Sequence, residues 1–328
     1  MDNALEPRGV HESAAARRDA PDEALEEVPC PLCGADDPEL VLYARDRLFA
    51  RPGRYRIVQC RACKLRYLSP RPTLAGLGLH YPNEYFIYRT PDEVPLLARP
   101  MMSALTALRW RSYIERLERV RGRFTPESQV LDVGCGLNDC LRTLHALRGT
   151  EGVGVDFKPE IVAYVRSQCA LRVVEGTLQD AHFPDGAFEQ VMMNEYLEHE
   201  PNPRALLAEA RRVTKKGGHL AVEVPFIEGL PAKLFGPYWS QVDAPRHLLH
   251  FTRATLEELL SRSGFRLIHT ETFQVPMLVG MSVVQALGHR RVGRMGLLER
   301  VMISAASLPF FLLYPWLDEF IFAVAEAQ

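Results

Sequence analysis

The sequence lacks a strong net charge, an excess of glycine or proline, and the cysteine content of a disulfide scaffold. Its 328 residues carry 39 Lys and Arg against 41 Asp and Glu, and the net charge of −2 provides no global field that would attract nucleic acid. Glycine and proline number 22 and 24, too few for a collagen-like or wholly disordered chain. Seven cysteines are too sparse, and odd in number, for a secreted disulfide framework. With 47% apolar residues, we expect a globular protein of more than one structural unit.

The N-terminal region also lacks features of a targeting signal. Its opening, MDNALEPRGV, has neither the basic nor the apolar part of a signal peptide, and we expect a cytoplasmic location. Residues 1–28 contain eight acidic residues against three arginines, with few large apolar groups. Such a segment cannot bury enough surface to offset its ordering entropy, which predicts a disordered acidic tail.

From residue 129 onward, short apolar runs alternate with stretches of helical periodicity. Alternating strands and helices predict a parallel sheet covered on both faces, so we expect a doubly wound α/β core over residues 125–272. Thr252 is the expected N-cap of the last helix, and Gly264 is expected just beyond its end. The predicted strands are Gln129–Val133, Gly152–Asp156, Leu171–Glu175, Phe188–Met193, His219–Val224 and Phe265–Glu271, and the predicted helices span 139–148, 159–169, 203–213 and 253–263.

The rest of the chain divides by composition. Residues 29–70 hold two cysteine pairs among short strand-like runs, and residues 71–124 are predicted to be a linker and a helical cap, with a helix near 101–121. Residues 273–318 are predicted to be an apolar helical insertion, and residues 319–328 a final strand.

The turn after the first predicted core strand is rich in glycine. Asp132 precedes Gly134 and Gly136, and the absence of side chains there lets the backbone approach a ligand closely. Asp156 ends the second strand, where a carboxylate can accept both hydroxyls of a ribose, and Asp180 follows the third. Three carboxylates at successive strand ends suit a ligand with a cationic end, a diol and an amino-bearing base.

These motifs resemble the class I S-adenosylmethionine-dependent methyltransferases. The resemblance covers about residues 125–271 and implies a Rossmann-like fold with a mostly parallel seven-stranded sheet. It also implies that Asp132, Gly134 and Gly136 surround the methionine moiety of S-adenosylmethionine. The matching segments are Leu131–Gly136, Asp156, Phe183–Glu189, Leu197–His199 and Lys215–Leu220.

The same resemblance assigns the remaining cofactor contacts. Asp156 would hold the ribose and Asp180 the adenine, and Asn194 would line the cofactor. Asn138 stands where the family often has a third glycine, and it is a candidate for direct contact with the cofactor. A nicotinamide-binding fold is the alternative, but Asp139 replaces the third glycine of its fingerprint and an acidic residue before the turn would repel a pyrophosphate.

The two cysteine pairs have the spacing of zinc knuckles. Cys30 and Cys33 form one C-x2-C pair and Cys60 and Cys63 the other, and four thiolates would close a tetrahedral shell around a structural zinc ion. The methyltransferase resemblance extends here, because one subgroup has an N-terminal zinc module followed by a segment like Tyr67–Pro72. That subgroup implies a sugar, lipid-like or other small-molecule acceptor, with the module shaping its site.

A second hypothesis belongs to a different functional class. Zinc ribbons often contact nucleic acid or protein, and arginines are frequent between residues 45 and 71. The chain could then be a binding protein with a non-catalytic α/β scaffold. The near-neutral total charge makes nucleic acid the less favoured partner.

Methyl transfer is an in-line displacement, in which the protein aligns the nucleophile, excludes water and accepts a proton where needed. Three histidines follow predicted strands at the edge of the sheet where ligands collect. His247 is the preferred base, with His199 and His250 as the other candidates.

The C-terminal region contains a long uncharged run. Val301–Leu317 spans 17 residues, fewer than the ~20 of a spanning helix, and Pro309 and Pro315 interrupt it. We expect a helical cap over the substrate cleft, with peripheral membrane contact or a lipid-like acceptor as the alternative.

Overall fold

The computed structural model describes residues 24–82, 96–168, 171–288, 302–303 and 318–328. Most of the predicted acidic tail and most of the Val301–Leu317 run lie outside these residues. Leu25–Glu26, within the predicted tail, form a short strand, so the folded part of the chain begins before residue 28. Among the described helices, none is both long and apolar enough to cross a membrane.

A seven-stranded, mostly parallel sheet forms the core, as the strand–helix alternation predicts. Its spatial order is β12-β13-β10-β9-β6-β7-β8, and β13 is antiparallel to both neighbours. The chain runs from β6 outward to β8 and then returns to β9 on the other side of β6, which makes the β6–β9 boundary a topological switch point. The strands are β6 (Val130–Val133), β7 (Gly152–Asp156), β8 (Arg172–Glu175), β9 (Phe188–Asn194), β10 (Thr214–Pro225), β12 (Phe265–Phe273) and β13 (Phe320–Ala327).

Helices pack their apolar faces on this sheet. The predicted start and stop signals of α7 are confirmed: Thr252 and Thr255 form a reciprocal capping box, and Gly264 adopts a φ of 82° just after the helix. The helices are α1 (Leu74–Leu77), α2 (Arg99–Arg121), α3 (Asp139–Arg148), α4 (Pro159–Gln168), α5 (Pro203–Val213), α6 (Leu230–Phe235), α7 (Arg253–Arg262) and α8 (Pro276–Ala286).

The cysteine-bearing module, residues 29–70, contributes to one small sheet, and the strands on either side of it in the sequence, β1 and β5, form a smaller one. In the larger one, of order β11-β4-β3-β2, β11 comes from the core sequence between α6 and α7, where Leu249 pairs with Tyr67 and His250 with Arg66. The module therefore shares a sheet with the segment that carries His250. The strands are β1 (Leu25–Glu26), β2 (Pro38–Ala44), β3 (Tyr55–Cys60), β4 (Arg66–Leu68), β5 (Arg71–Pro72) and β11 (Leu249–His250), with β1 pairing β5.

A buried ion-pair cluster joins the same two regions. The wholly buried Arg246 guanidinium contacts Asp46 of the cysteine-bearing module at 3.0 Å and Asp243 of its own loop at 2.6 Å. Pairing on both sides offsets the desolvation of the buried charges. The loop before β11 is thus held against the module by charge as well as by backbone pairing.

Candidate active site

The glycine turn lies at the carboxyl end of β6, beside the switch point. Gly134 and Gly136 have φ values of 73° and 51°, a region that glycine enters without the steric penalty of a Cβ. A Cβ on Gly134 would stand 2.2 Å from Cδ2 of Tyr196, whereas one on Gly136 would meet no atom within 4 Å. The turn therefore packs against Tyr196 at Gly134 and is open above Gly136.

Two predicted cofactor carboxylates flank this turn. Asp132 is 3% exposed on β6, and burial raises its pKa to about 7. Asp156, at the end of β7, accepts hydrogen bonds from the backbone N–H of Gly136 and of Lys158, each at 3.0 Å. A carboxylate offers about four acceptor positions, so Asp156 keeps some for a ligand diol.

Asn138 occupies the family's third-glycine position in a glycine-like conformation. Its φ of 62° and ψ of 24° are left-handed, which asparagine tolerates better than most residues. The side chain is wholly buried, and its Oδ1 would lie 3.1 Å from a Cβ on Gly154 of β7. Asn138 therefore directs its amide toward β7, and its contact with a cofactor stays a prediction.

The other two predicted cofactor residues differ in their surroundings. Asn194, at the end of β9, has a buried amide whose nitrogen and oxygen make no hydrogen bond of good geometry among the described residues, although the amide lies near enough to the Asp132 carboxyl to oppose the rise of its pKa. Asp180 is exposed, and its Oδ2 accepts hydrogen bonds from the backbone N–H and the hydroxyl of Thr177 at 2.9 and 2.6 Å. These bonds lower the pKa of Asp180 and hold its side chain in a local turn. The adenine contact predicted for Asp180 remains untested.

The structure places the three predicted histidines close to one another. The rings of His199 and His247 meet edge to face with centroids 4.6 Å apart. His199 Nδ1 lies 3.1 Å from the Arg246 carbonyl oxygen and 2.9 Å from the Tyr81 hydroxyl, and His247 Nδ1 lies 2.8 Å from the Gln241 carbonyl oxygen. His250 is buried, and its ring nitrogens make no hydrogen bond with any residue that the structure describes.

Burial keeps all three imidazoles neutral near pH 7. Desolvation lowers the pKa of His199 to about 3, with a further contribution from His247. It lowers the pKa of His247 and of His250 to about 4. Neutral imidazoles have a free lone pair, so each can accept a proton or bind a cation.

Several acidic residues at the same edge were not singled out from the sequence. Glu198 is wholly buried beside His199, and burial raises its pKa well above the usual range. Arg109 of α2 reaches Glu195 at 2.6 Å and the buried Glu223 at 3.3 Å. Glu195 and Glu198 directly follow a strand in Glu-Tyr-Leu-Glu-His, and this position was the signal that could have identified them.

The four predicted metal-binding thiols converge. The Sγ atoms of Cys30 and Cys63 are 3.4 Å apart, those of Cys33 and Cys60 are 3.5 Å apart, and all four lie within 4.8 Å of one another. Zn–S bonds of ~2.3 Å in a tetrahedron require sulfur separations of this size. Both knuckles turn in the same way, with left-handed Gly34 and Lys64 directly after their second cysteines. The donor set therefore fits a closed tetrahedral ion.

Comparison with known proteins gives related sequences in several bacteria. An uncharacterized 37.1 kDa protein in transposon TN4556 of Streptomyces fradiae is 29% identical over 244 residues, which cover 70% of this chain and 66% of that protein. The demethylmenaquinone methyltransferase of Tropheryma whipplei is 34% identical over 104 residues, which cover 30% of this chain and 42% of the enzyme. The chain thus spans less than two thirds of either relative.

Among solved structures, geranyl diphosphate C-methyltransferase from Streptomyces coelicolor superposes with a TM-score of 0.48 at 15% identity, covering 66% of this chain and 80% of that one. The sequence model of the methyltransferase-domain family matches residues 105–270. This match covers about half of the chain, including the glycine turn, Asp156 and the three histidines. The chain belongs to the methyltransferase-domain family.

Proposed function

We propose that the protein transfers a methyl group from S-adenosylmethionine to a small-molecule acceptor. A nucleophilic atom of the acceptor attacks the methyl carbon, the carbon–sulfur bond breaks, and the products are the methylated acceptor, S-adenosylhomocysteine and the proton of the acceptor. The family membership supports this reaction, and a matched relative is named for a small quinone-type acceptor.

The glycine turn between Asp132 and Asp156 is the observation that carries the proposal. The space above Gly136 can receive a ligand. Asp156 accepts a hydrogen bond from the Gly136 N–H and has further acceptor positions for the hydroxyls of a ligand. Asp132 and the buried Asn194 amide lie at the ends of adjacent strands, where a cationic amino acid moiety would pair with them. These groups fit S-adenosylmethionine, which supplies an electrophilic methyl group when bound.

The acceptor would approach from the side of the histidine cluster. Tyr81 contacts both the His199 ring and the ring of Phe157, the residue after Asp156, with centroids 6.0 and 6.3 Å apart. Tyr81 thus connects the predicted ribose site with the histidines. We infer that this side excludes water and that His247, His199 or His250 accepts the acceptor's proton.

We further propose that the four cysteines bind a structural zinc ion. Four thiolates leave no open coordination position, so the ion would hold the module together without taking part in methyl transfer. The module's arginines favour this role over nucleic acid binding. Arg54 lies 3.6 Å from the centroid of the Tyr43 ring, and Arg56 and Arg71 pair with Glu27 and Glu26 at 2.6 and 2.9 Å.

Calorimetry with S-adenosylmethionine tests the proposed function. We expect the wild-type protein to bind the cofactor and Asp156→Asn to bind it at least ~10-fold more weakly, because one charge-assisted hydrogen bond contributes about 1.5–3 kcal/mol. Asp185→Asn is the matched control, since Asp185 is an exposed carboxylate paired with Arg212. Absence of binding by the wild type, or equal binding by Asp156→Asn, would refute the assignment.

A further inference from the structure

We propose that Glu198, His199 and His247 form a second metal site, which binds a divalent transition-metal cation such as Zn²⁺ or Co²⁺ on the acceptor side of the sheet edge. Each residue offers one ligand atom, and these three atoms all lie within 4.8 Å of one another. The ligands come from the turn after β9 and from the loop before β11. A hydrogen bond from the Leu248 N–H to the Glu198 carbonyl, at 2.8 Å, joins these two segments.

The hydrogen bonds of the two imidazoles leave the correct nitrogen for a metal. A carbonyl oxygen can only accept, so Nδ1 of His247 carries hydrogen and donates to Gln241. Nδ1 of His199 lies 3.1 Å from the Arg246 carbonyl and 2.9 Å from the Tyr81 hydroxyl, which can donate or accept, and a bound metal would select the tautomer in which this Nδ1 donates. The lone pair of each ring is then on Nε2. Backbone carbonyls that fix a ring in this way are the usual outer partners of metal-binding histidines.

The state of Glu198 is an independent observation that points to a cation. Its side chain is 0% exposed, and no other residue in the described part of the chain makes a hydrogen bond to either carboxylate oxygen. A buried carboxyl without partners is strongly unfavourable, and buried charges in proteins are normally paired or bind metals. Glu195 differs, because its carboxylate already pairs with Arg109 at 2.6 Å. Among the described residues, Glu198 is thus a carboxyl at this edge that lacks such a partner, and it lies beside two imidazoles.

The ligand types indicate which cation would bind. Two imidazoles and one carboxylate suit zinc, cobalt or iron(II), whereas magnesium and calcium prefer oxygen ligands alone. Three protein ligands leave coordination positions open, unlike the four thiols of the cysteine site. If the proposed function holds, an acceptor hydroxyl would bind at an open position, where the cation would favour its ionisation, and His250 would be the candidate base that remains to accept the proton.

Cobalt titration of the full-length protein tests the site without cofactor or acceptor. Protein already loaded with zinc at the four cysteines receives Co²⁺ while the visible absorbance is recorded. We expect one further equivalent to bind with weak ligand-field bands and without the intense thiolate charge-transfer bands of a cysteine site. We also expect that Glu198→Gln and His247→Gln each reduce this affinity at least ~10-fold, the effect typical of losing a metal-site partner.

Matched variants keep the test decisive. His145→Gln, which alters an exposed histidine on α3, should bind Co²⁺ as the wild type does. Glu198→Gln keeps the side-chain shape and breaks no hydrogen bond to another described residue, so its circular dichroism should match the wild type, and His247→Gln provides a second variant. No cobalt bound beyond the cysteine site, or unchanged binding by both variants, would overturn the proposal.

The two proposals fail separately. A protein that binds S-adenosylmethionine but no second cation would refute the metal site and leave the proposed function standing. A protein that binds the cation with the expected variant effects but no S-adenosylmethionine would refute the function alone.

Discussion

At the residue scale, Asp132 combines a predicted ligand role with a cost to stability. Its folded pKa of about 7 lies well above the ordinary value of ~3.9 because the side chain is buried. The folded protein therefore binds this proton more tightly than the unfolded chain does. Stability falls as pH rises from about 4 to about 7, and the loss is complete above that range.

Replacing this carboxylate should therefore stabilise the protein in a pH-dependent way. We expect Asp132→Asn to be more stable than the wild type at pH 8, by on the order of 2–4 kcal/mol, and to differ little near pH 4. The same variant should bind S-adenosylmethionine more weakly. Denaturant unfolding at the two pH values measures the first effect, and a stability difference independent of pH would contradict it.

Substitutions of Asn138 can separate its effect on backbone conformation from its predicted contact with the cofactor. Because its φ is 62°, glycine should be accepted there, whereas alanine should cost about 1 kcal/mol relative to glycine. Neither variant breaks a hydrogen bond within the described part of the chain, since the buried amide makes none there. Thermal unfolding gives the stability order.

The same pair of variants tests the predicted cofactor contact. If Asn138 contacts the cofactor, Asn138→Gly should keep its stability and lose affinity for S-adenosylmethionine in calorimetry. Unchanged affinity in the glycine variant would limit Asn138 to a backbone role.

At the scale of secondary-structure elements, the cap of α7 is the clearest local determinant. The Thr252 hydroxyl accepts a hydrogen bond from the Thr255 N–H at 3.1 Å, and Thr255 reciprocates at 2.9 Å. We expect Thr252→Ala to lower the free energy of unfolding by about 1 kcal/mol. Thr252→Ser should keep most of the stabilisation that the cap provides, because serine is also a good N-cap residue. Cofactor affinity should not change in either variant, because neither Thr252 nor Thr255 is among the proposed cofactor contacts.

At the scale of the whole molecule, the cysteine-bearing module and the candidate active site share a sheet. His250 pairs with Arg66, and Arg246 joins Asp46 to the loop that carries His247. Loss of the structural zinc should therefore loosen β11 as well as the module.

Zinc removal provides the corresponding prediction. We expect Cys60→Ser to lose one equivalent of zinc, to unfold at a lower temperature and to lose methyltransferase activity, although no cysteine of the module is a proposed cofactor ligand. Cys140→Ser, at a buried thiol on α3, controls for the loss of a sulfhydryl. Full activity in protein shown by metal analysis to lack zinc would refute this coupling.

The sequence by itself determined most of the element types and the nature of the glycine turn. The strands β6 to β10 and the helix α7 follow from apolar periodicity and capping residues, which act within a few neighbouring positions. The spacing of the cysteine pairs likewise predicted a metal site, because two thiols separated by two residues can bind the same ion.

Only the tertiary structure decided which distant groups meet. No local pattern brings Glu198 beside His247, or pairs β11 with a strand about 180 residues earlier, because these contacts arise from burial and charge pairing between segments far apart in the chain. The partner of each polar group depends on that packing. Tertiary structure therefore brought Glu198 to two imidazoles, whereas the turn that holds Asp180 is local to Thr177–Asp180.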